Sequence, residues 1–392
     1  MKQRIPLIIL LWLFTDLYFF NAVYTLTGSR VVHFAYWLID VLIGTCILAA
    51  VLGVGSKRVP KLVSWLMAVM MLCFVPKLLA IPVLLLEDAT RLFRNFPARS
   101  IWVSELSTAV AGITFLCLLF GLTRGRHHYQ VHRKTLYFSD LPEAFDGFTL
   151  TQLSDIHAGS FTSEKGVSKG IELVNDQGSD VILFTGDLVN NMASEMDRWI
   201  PYFSRLTAGF GKFSVLGNHD YGDYTRWESK PAKDANLERL KEVHREIGFK
   251  LLLNETITIQ KGGQHITLIG VENWGKGGFH KYGDLLKATE TVDDSQFKIL
   301  MSHDPSHWEA KTLIHEKRID LTLAGHTHGM QFGIELFGFK WSPIKYVYKQ
   351  WAGLYEKKGR YLYVNRGFGF LGLKGRIGIW PEITVITLKR KV

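Results

Sequence analysis

Five short clusters of histidine, aspartate and asparagine each follow a short apolar run directly. The clusters are Ser154-Asp155-Ile156-His157, Gly186-Asp187, Gly217-Asn218-His219-Asp220, Ser302-His303-Asp304 and Gly325-His326-Thr327-His328. A single cluster of this kind has an ordinary structural explanation, because an aspartate after a strand often caps the next helix. Five clusters in register with five apolar runs predict one shared crevice beyond the carboxyl ends of the strands of a sheet.

The side chains of these clusters are typical ligands of Mn, Fe or Zn, since they offer imidazole, carboxylate and amide groups. Thiolate ligation is not expected, because all three cysteines lie in apolar stretches and no pair has metal-ligand spacing. Seven candidate ligands are enough for two divalent ions that share one carboxylate. Such a pair can clamp a phosphoryl group and ionise a water molecule, so the pattern predicts phosphoryl hydrolysis.

An alternating pattern of β-rich and helical segments, which begins near residue 135, supplies the strands that would position these clusters. Strands are predicted at 148–153, 181–184, 213–216, 266–271, 297–301, 321–324, 361–365 and 382–388. Helices are predicted at 164–175, 195–206 and 235–247. This alternation indicates an α/β domain whose helices cover a sheet.

The first third of the chain has the composition of a membrane region. Apolar runs occupy residues 5–27, 31–55, 62–86 and 101–123, and each is long enough to cross ~30 Å of hydrocarbon. Nine lysines and arginines fall on one side of this four-span arrangement and four on the other, which favours cytoplasmic termini. Pro76 and Pro82 interrupt the third run, and a re-entrant third segment would reverse the side of the large domain.

Three ionisable residues, Asp16, Asp40 and Lys77, lie inside these apolar runs. A charge at membrane depth is costly, so such residues usually face the interior of a helical bundle and pair with each other. Pairing between helices is the favoured interpretation, and a proton or ion pathway is the alternative.

The ordered set of clusters, D-x-H, G-D, G-N-H-D, a later His and G-H-x-H, resembles the calcineurin-like metallophosphoesterase superfamily. The segments Tyr363-Val364-Asn365-Arg366-Gly367-Phe368-Gly369 and Pro381-Glu382-Ile383-Thr384 look like its membrane-attached bacterial branch. That branch includes UDP-2,3-diacylglucosamine pyrophosphohydrolases. The resemblance covers residues from about 148 to 388 and implies a β-sandwich flanked by helices.

The resemblance also implies a role for each matching residue. Asp155, His157 and His328 would hold one metal ion, Asn218, His303 and His326 a second, and Asp187 would bridge the two ions. His219 would approach the phosphate and the leaving-group oxygen, where an imidazole can stabilise charge or donate a proton. Asn218 is also expected to lie near the substrate, and Asp220 is expected to support His219.

Two positions depart from the family pattern. Where the family often has a carboxylate that orients the catalytic imidazole, this chain has Asn190, whose amide oxygen is expected to accept the ring N–H of His219 without adding charge. Asp220 is the other candidate partner for that ring. In the last cluster Met330 replaces a glycine, so a different local turn is expected.

A basic and aromatic segment, residues 337–363, precedes the final strands. Its pattern is compatible with packing on the sheet, with a lipid headgroup layer or with nucleic acid, in decreasing order of preference. Arg366, on the loop that follows, is a candidate phosphate contact. Nucleic-acid binding is disfavoured, because the net charge of +10 resides mainly in residues 1–134, which carry 14 Lys/Arg and 5 Asp/Glu.

The sequence therefore predicts a transmembrane region of about four helices at 1–127, a linker at 128–146 and a metallophosphoesterase domain at 147–392. The predicted function is metal-dependent hydrolysis of a phosphate ester or pyrophosphate, on a phosphate-containing small molecule or a lipid, at the bacterial inner membrane with the catalytic domain in the cytoplasm. The alternative is a membrane sensor or scaffold that binds metal or nucleotide without turnover.

Overall fold

The computed structural model describes residues 5–51 and 59–391. The chain divides into two compact units. The N-terminal unit runs to Thr123 and includes the short segment Gly372–Lys374, and the C-terminal unit comprises the remainder of the chain from Arg124. Each unit has its own hydrophobic core.

Long helices form the described part of the N-terminal unit. They are α1 (Ile5–Leu26), α2 (Arg30–Val51), α3 (Val59–Leu92) and α4 (Ile101–Thr123). Among the described residues, three stretches are long and apolar enough to cross a membrane: Ile9–Leu26, Ala68–Leu92 and Ile101–Thr123. The run predicted at 31–55 forms α2 as far as Val51, and its next four residues lie outside the described part. Helix α3 runs unbroken through both prolines, which supports a spanning helix over a re-entrant one.

The three ionisable residues of the apolar helices are paired with one another. The Lys77 ammonium on α3 bonds the carboxylate of Asp16 on α1 and lies 3.3 Å from Asp40 Oδ1 on α2. The Tyr36 hydroxyl donates a further hydrogen bond to Asp16 Oδ1 at 3.3 Å. The expected pairing is therefore confirmed, and it joins three helices at mid-length.

Two six-stranded sheets form the centre of the C-terminal unit. The first has the order β1-β14-β2-β3-β4-β5 and the second the order β12-β13-β9-β8-β7-β6, while β10 and β11 form a separate hairpin. The strands are β1 (Gln130–Phe138), β2 (Thr149–Leu153), β3 (Val181–Phe184), β4 (Lys212–Ser214), β5 (Lys250–Leu251), β6 (Glu255–Lys261), β7 (Gln264–Gly270), β8 (Lys298–Met301), β9 (Leu321–Ala324), β10 (Ile334–Leu336), β11 (Phe339–Trp341), β12 (Gly353–Lys357), β13 (Arg360–Val364) and β14 (Glu382–Arg390).

The alternation of side chains along each strand produces a four-layer arrangement. In β3, Leu183 points into the core between the two sheets, whereas Ile182 and Phe184 point outward. The outer face of the first sheet is covered by α5 (Glu164–Asn175) and α7 (Lys230–Glu246), and α8 (Leu285–Thr289) packs on the second sheet. Short helices α6 (Ile200–Phe203) and α9 (Ser306–Ala310) complete the described α-helices. The expected β-sandwich flanked by helices is confirmed.

The expected linker at 128–146 is wrong, because Gln130–Phe138 forms β1 and pairs in parallel with β14 along nine residues. Its basic and exposed centre hides the strand pattern in the sequence, while Leu136 and Phe138 enter the core between the sheets. The helix predicted at 195–206 is also wrong in extent. A 3₁₀ turn at Ala193–Met196 and the short α6 take its place.

Candidate metal centre

The carboxyl ends of parallel strands bring the five polar clusters together. Strands β2, β3 and β4 run parallel in one sheet, and β8, β9 and β13 run parallel in the other. The clusters follow β2, β3, β4, β8 and β9 in order, so their side chains emerge at the same edge of the sandwich. This is the position at which open α/β sheets usually bind ligands.

Asp155, His157 and His328 form the first ligand group, with one ligand atom from each within 4.8 Å of the others. The Nε2 atoms of His157 and His328 lie 3.0 Å apart, and His328 Nε2 is 3.3 Å from Asp155 Oδ1. All three residues are buried. Ligand atoms that converge in this way leave little room for anything larger than an ion.

Asp187, His303 and His326 form the second ligand group. The side-chain oxygen of Asn218 joins it, 3.1 Å from His303 Nε2 and 2.8 Å from His326 Nδ1. Asp187 Oδ2 is 3.2 Å from His303 Nε2 and 3.5 Å from His157 Nε2, so this carboxylate lies between the two groups. The structure thus brings all seven predicted metal ligands together.

The backbone around the site is strained. Five non-glycine residues have left-handed φ angles, 52° at Asp155, 48° at His157, 61° at Asp187, 70° at His326 and 50° at His328. Such conformations are costly and cluster at functional sites. The glycines of the motifs allow close approach, since a Cβ at Gly217 would lie 2.2 Å from Asp187 Oδ1 and one at Gly325 only 1.9 Å from Ser154 Oγ.

The electrostatics of the cluster suit a cation. Burial lowers the pKa of His157 to about 3 and holds that of His328 well below its ordinary value, so both rings present lone pairs. Burial also disfavours a charged His303, but the carboxylates of Asp187 and Asp155 outweigh it and raise the pKa of His303 to about 10. Without a metal ion, a proton on His303 balances the buried charge of Asp187. A divalent cation would take the place of that proton.

His219 is oriented by a backbone atom. Its Nδ1 lies 2.7 Å from the backbone carbonyl oxygen of Asn190, whereas the Asn190 side chain bonds the Ser160 hydroxyl at 3.2 Å. The expectation that the amide oxygen of Asn190 accepts the ring N–H is therefore wrong. Since a carbonyl oxygen only accepts, Nδ1 carries the proton and Nε2 is left for a substrate.

Asp220 organises the loops between the ligands. Its buried carboxylate accepts hydrogen bonds from the backbone N–H groups of Asp187, Leu188, Val189 and Gly217, at 2.8–3.3 Å. Burial and then the charge of Asp187 raise its pKa to about 7, against the effect of these hydrogen bonds. With both oxygens engaged by the backbone, Asp220 supports the position of Asp187 instead of contacting the ring of His219.

Arg366 does not reach the metal cavity. Its guanidinium bonds Glu382 at 2.5 Å and Glu335 at 2.7 and 3.0 Å, and the side chain is buried. The structure thus contradicts the expected phosphate contact, because two carboxylates already occupy the charged group. A sequence motif could not reveal these partners, since Glu335 lies 31 residues away on the hairpin.

A cavity of about 250 Å³ opens over the ligands. It is lined by His157, Asp187, Asn218, His219, Tyr224, Phe279, His326, His328 and Leu371. A second cavity of about 570 Å³ shares Phe279 and His326 with it and extends along Tyr348 and Lys349. A larger cavity beside Trp274, of about 650 Å³, is lined by none of the seven candidate ligands.

Tyr348 is a site residue that sequence reasoning placed only in the aromatic segment. Its hydroxyl lies 2.9 Å from His326 Nε2 and donates to Asp304 Oδ2 at 3.2 Å. His326 directs Nδ1 toward Asn218, so its Nε2 points to the Tyr348 hydroxyl and the Asp304 carboxylate. Partners of this kind fix the orientation of a ligand ring.

Met330 adopts the conformation that a glycine would adopt without strain, with φ of 57°. Its neighbour Gly329 has φ of 54°, so two successive residues are left-handed. The turn at Met330 therefore follows a path that a glycine would adopt without strain.

Comparison with known proteins agrees with this geometry. Residues 148–330 match the family model described as calcineurin-like phosphoesterase, and residues 2–126 match that of a probable calcineurin-like phosphoesterase transmembrane domain. The uncharacterised metallophosphoesterase YkuE of Bacillus subtilis is 31% identical over 67% of this chain and 86% of its own length. This chain belongs to the calcineurin-like phosphoesterase family.

Other relatives are named for a phosphodiesterase activity or for a transmembrane region. The phosphodiesterase YaeI of Escherichia coli is 27% identical over 62% of this chain and 82% of that protein. The transmembrane protein with metallophosphoesterase domain of Danio rerio is 27% identical over 71% of this chain and 61% of that protein. The present protein accordingly belongs to a membrane-associated metallophosphoesterase family and has a cluster of candidate metal ligands.

Proposed function

We propose that this protein is a membrane-anchored dinuclear-metal hydrolase of phosphate esters or pyrophosphates. The observation that carries the proposal is the position of Asp187 between two ligand groups, Asp155–His157–His328 and Asn218–His303–His326. One carboxylate between two such groups is the arrangement that two ions need. The donor set is compatible with Mn, Fe or Zn.

The chain's own residues bind and position the substrate around this centre. When bound, two divalent ions supply positive charge for the phosphoryl oxygens and lower the pKa of a water molecule. His219 lines the cavity, and its Nδ1–H is held by the carbonyl of Asn190, so Nε2 faces the substrate. In its doubly protonated form the ring can donate the Nε2 proton to the leaving-group oxygen. Tyr224 and Phe279 flank the space beside it.

A lipid-linked or nucleotide–lipid phosphoester is the proposed substrate class, of which UDP-diacylglucosamine is one example. The membrane-spanning helices support a lipid because they keep the site near a bilayer. We also propose the bacterial inner membrane as the location, with the C-terminal unit in the cytoplasm. This orientation rests on the excess of lysine and arginine on the side of the four spans that carries both termini, since basic loops usually stay in the cytoplasm.

An aryl phosphodiester assay with purified protein and Mn²⁺ tests the chemistry. Hydrolysis is expected for the native chain, and separate Asp187→Ala and His219→Ala variants should lose most of it. A matched control is Asn191→Ala, which changes a neighbouring amide outside the ligand groups. Absence of turnover, or turnover that both variants retain, would refute the proposed hydrolase.

The binding-only alternative rested on the amide at position 190. Two contacts favour the hydrolase over this alternative: a backbone carbonyl orients His219, and the side chain at 190 bonds Ser160. Lipid and metabolite extracts incubated with native protein or with Asp187→Ala would identify the substrate. A compound consumed only by the native protein is the expected result.

A further inference from the structure

The hairpin of β10 and β11 stands apart from both six-stranded sheets. Its register pairs Ile334 with Trp341, Glu335 with Lys340 and Leu336 with Phe339. Because side chains alternate along a strand, the first and third pairs share one face and the middle pair occupies the other. One face of the hairpin is therefore apolar and the other is charged.

The charged face, not the apolar face, is turned to the protein. Glu335 is bonded by the buried guanidinium of Arg366, and the Lys340 ammonium bonds the backbone carbonyl of Ala352. The Lys340 ammonium also lies 4.9 Å from the centre of the buried Trp351 ring. These contacts fix the hairpin by its ionic side, which inverts the usual pattern of a hairpin on a soluble protein.

The apolar face is open to solvent. Ile334 is 52% exposed, Leu336 58%, Phe339 60% and Phe337, at the tip, 97%. Exposed aliphatic and aromatic side chains in one contiguous patch mark a surface that binds a partner or a membrane.

The turn at the tip favours this interpretation. Phe337 and Gly338 both have positive φ, 50° and 82°, which is the geometry of a type I′ turn. Asparagine or glycine would suit the first position, whereas phenylalanine is strained there and gains no packing within the C-terminal unit to offset the strain. The residue is explained if its ring is buried in something outside the described protein.

The surroundings of the hairpin identify the chemistry of that partner. Tyr346 and Val347, both 75% exposed, follow the hairpin, with exposed Lys345 and Lys349 beside them. Residues 340–392 carry 12 Lys/Arg and 2 Asp/Glu. Aromatic and aliphatic side chains among lysines are typical of elements that lie in the headgroup layer of an anionic bilayer. The transmembrane helices of the same chain supply that bilayer.

We propose that the hairpin, together with Tyr346 and Val347, inserts into the surface of the lipid bilayer and forms a second membrane attachment of the C-terminal unit. Three residues per strand span about 10 Å, which matches the depth reached by interfacial elements. Tyr348, the next residue, contacts His326 of the metal centre. The attachment therefore places the cavity that Tyr348 and His326 line beside lipid.

A nitroxide label at position 337 tests the attachment without reference to activity. The full chain, with Cys46, Cys73 and Cys117 replaced by serine, carries Phe337→Cys and is placed, one copy per disc, in nanodiscs that contain phosphatidylglycerol. An Ile314→Cys label is the control, since Ile314 is an apolar residue of the same unit that is 76% exposed. We expect high collision with oxygen and low collision with a water-soluble nickel chelate at 337, and the reverse at 314.

Two results would overturn the proposal. Free access of the nickel chelate at position 337 would place the hairpin in water. Shielding from both oxygen and nickel would indicate burial against protein, either a second copy or another part of this chain.

A kinetic comparison extends the test to lipid substrates, and this step rests on the proposed function. Leu336→Asp should lower the hydrolysis of a phosphodiester embedded in anionic vesicles roughly tenfold, the effect of withdrawing one leucine from lipid. Hydrolysis of the soluble aryl phosphodiester should stay unchanged, and Ile314→Asp should affect neither. Equal loss on both substrates would contradict the hairpin's role, whereas no activity in the native protein would refute the hydrolase and leave the nitroxide result valid.

Discussion

The most discriminating prediction concerns Asn190 and Glu195, which flank the loop that orients His219. The Asn190 carbonyl receives the ring N–H, and the loop itself is held by the Glu195 carboxylate. That carboxylate accepts hydrogen bonds from the backbone N–H groups of Asn190, Asn191 and Met192 at 2.6, 3.1 and 3.1 Å. Glu195 therefore acts on the His219 ring indirectly, by holding the loop whose carbonyl accepts the ring N–H.

The expected effects follow from which bonds survive each substitution. Asn190→Ala keeps the backbone acceptor and loses only the side-chain hydrogen bonds to Ser160, so kcat should stay within about threefold of the native value. Glu195→Ala removes three charge-assisted bonds from the loop, and kcat should fall about tenfold as the acceptor moves. Glu195→Gln keeps one acceptor oxygen, so its kcat should lie between that of the native protein and that of Glu195→Ala. His219→Ala, which removes the ring, should cost about 10²–10⁴ in kcat.

Steady-state hydrolysis of an aryl phosphodiester with saturating Mn²⁺ measures these effects, and circular dichroism checks that each variant is folded. The comparison that tests the prediction is the loss of kcat in Asn190→Ala against the loss in Glu195→Ala. A larger loss in Asn190→Ala than in Glu195→Ala would show that the side chain at 190 orients the imidazole, which would refute the reasoning from the 2.7 Å contact.

Four further predictions concern metal, stability and pH. Asp187→Asn should abolish stoichiometric binding of two ions, as measured by elemental analysis, and a full metal content would contradict the shared carboxylate. Tyr348→Phe removes the hydroxyl beside His326 and should weaken Mn²⁺ binding about 10- to 100-fold in a calorimetric titration, while unchanged affinity would argue against its positioning role. Met330→Gly relieves a left-handed residue and should stabilise the protein by up to ~1 kcal/mol in thermal unfolding, whereas a loss of stability would mean that the methionine side chain matters more than its backbone. Burial lowers the pKa of His244 to about 3. Below pH 6.5 the unfolded chain therefore binds more protons than the folded chain. The free energy of unfolding should then fall with falling pH by up to ~1.4 kcal/mol per pH unit. His244→Asn should reduce this slope, and identical slopes would refute the assignment.

Most of the strands around the candidate metal centre could be predicted, because their signals are local. Apolar runs such as Val181–Phe184 are short and β-rich, and each ligand cluster follows its strand within a few residues. The parallel arrangement of those strands then places the ligands at one edge. For the same reason the seven candidate metal ligands could be named before their distances were known.

The elements that the sequence did not reveal depend on long-range contacts. Strand β1 is an edge strand with an exposed basic centre, and it becomes a strand only by pairing with β14, about 250 residues away. The hairpin shows an apolar and a charged face in sequence, but the pattern does not say which face meets the protein. Arg366, whose partners are Glu335 and Glu382, settles that choice.

Hydrophobic periodicity alone predicted the membrane helices and most strands of the C-terminal unit, because it is a property of neighbouring residues. The resemblance to a known family implied the sandwich and the roles of the candidate ligands. The hydrogen-bond partners of His219 and Arg366, by contrast, became known only from the folded structure. His219 is held by a carbonyl that every residue possesses, and Arg366 is held by two carboxylates instead of a phosphate. Backbone acceptors and distant ion pairs leave no signature in a linear motif, because they depend on how the chain folds back on itself.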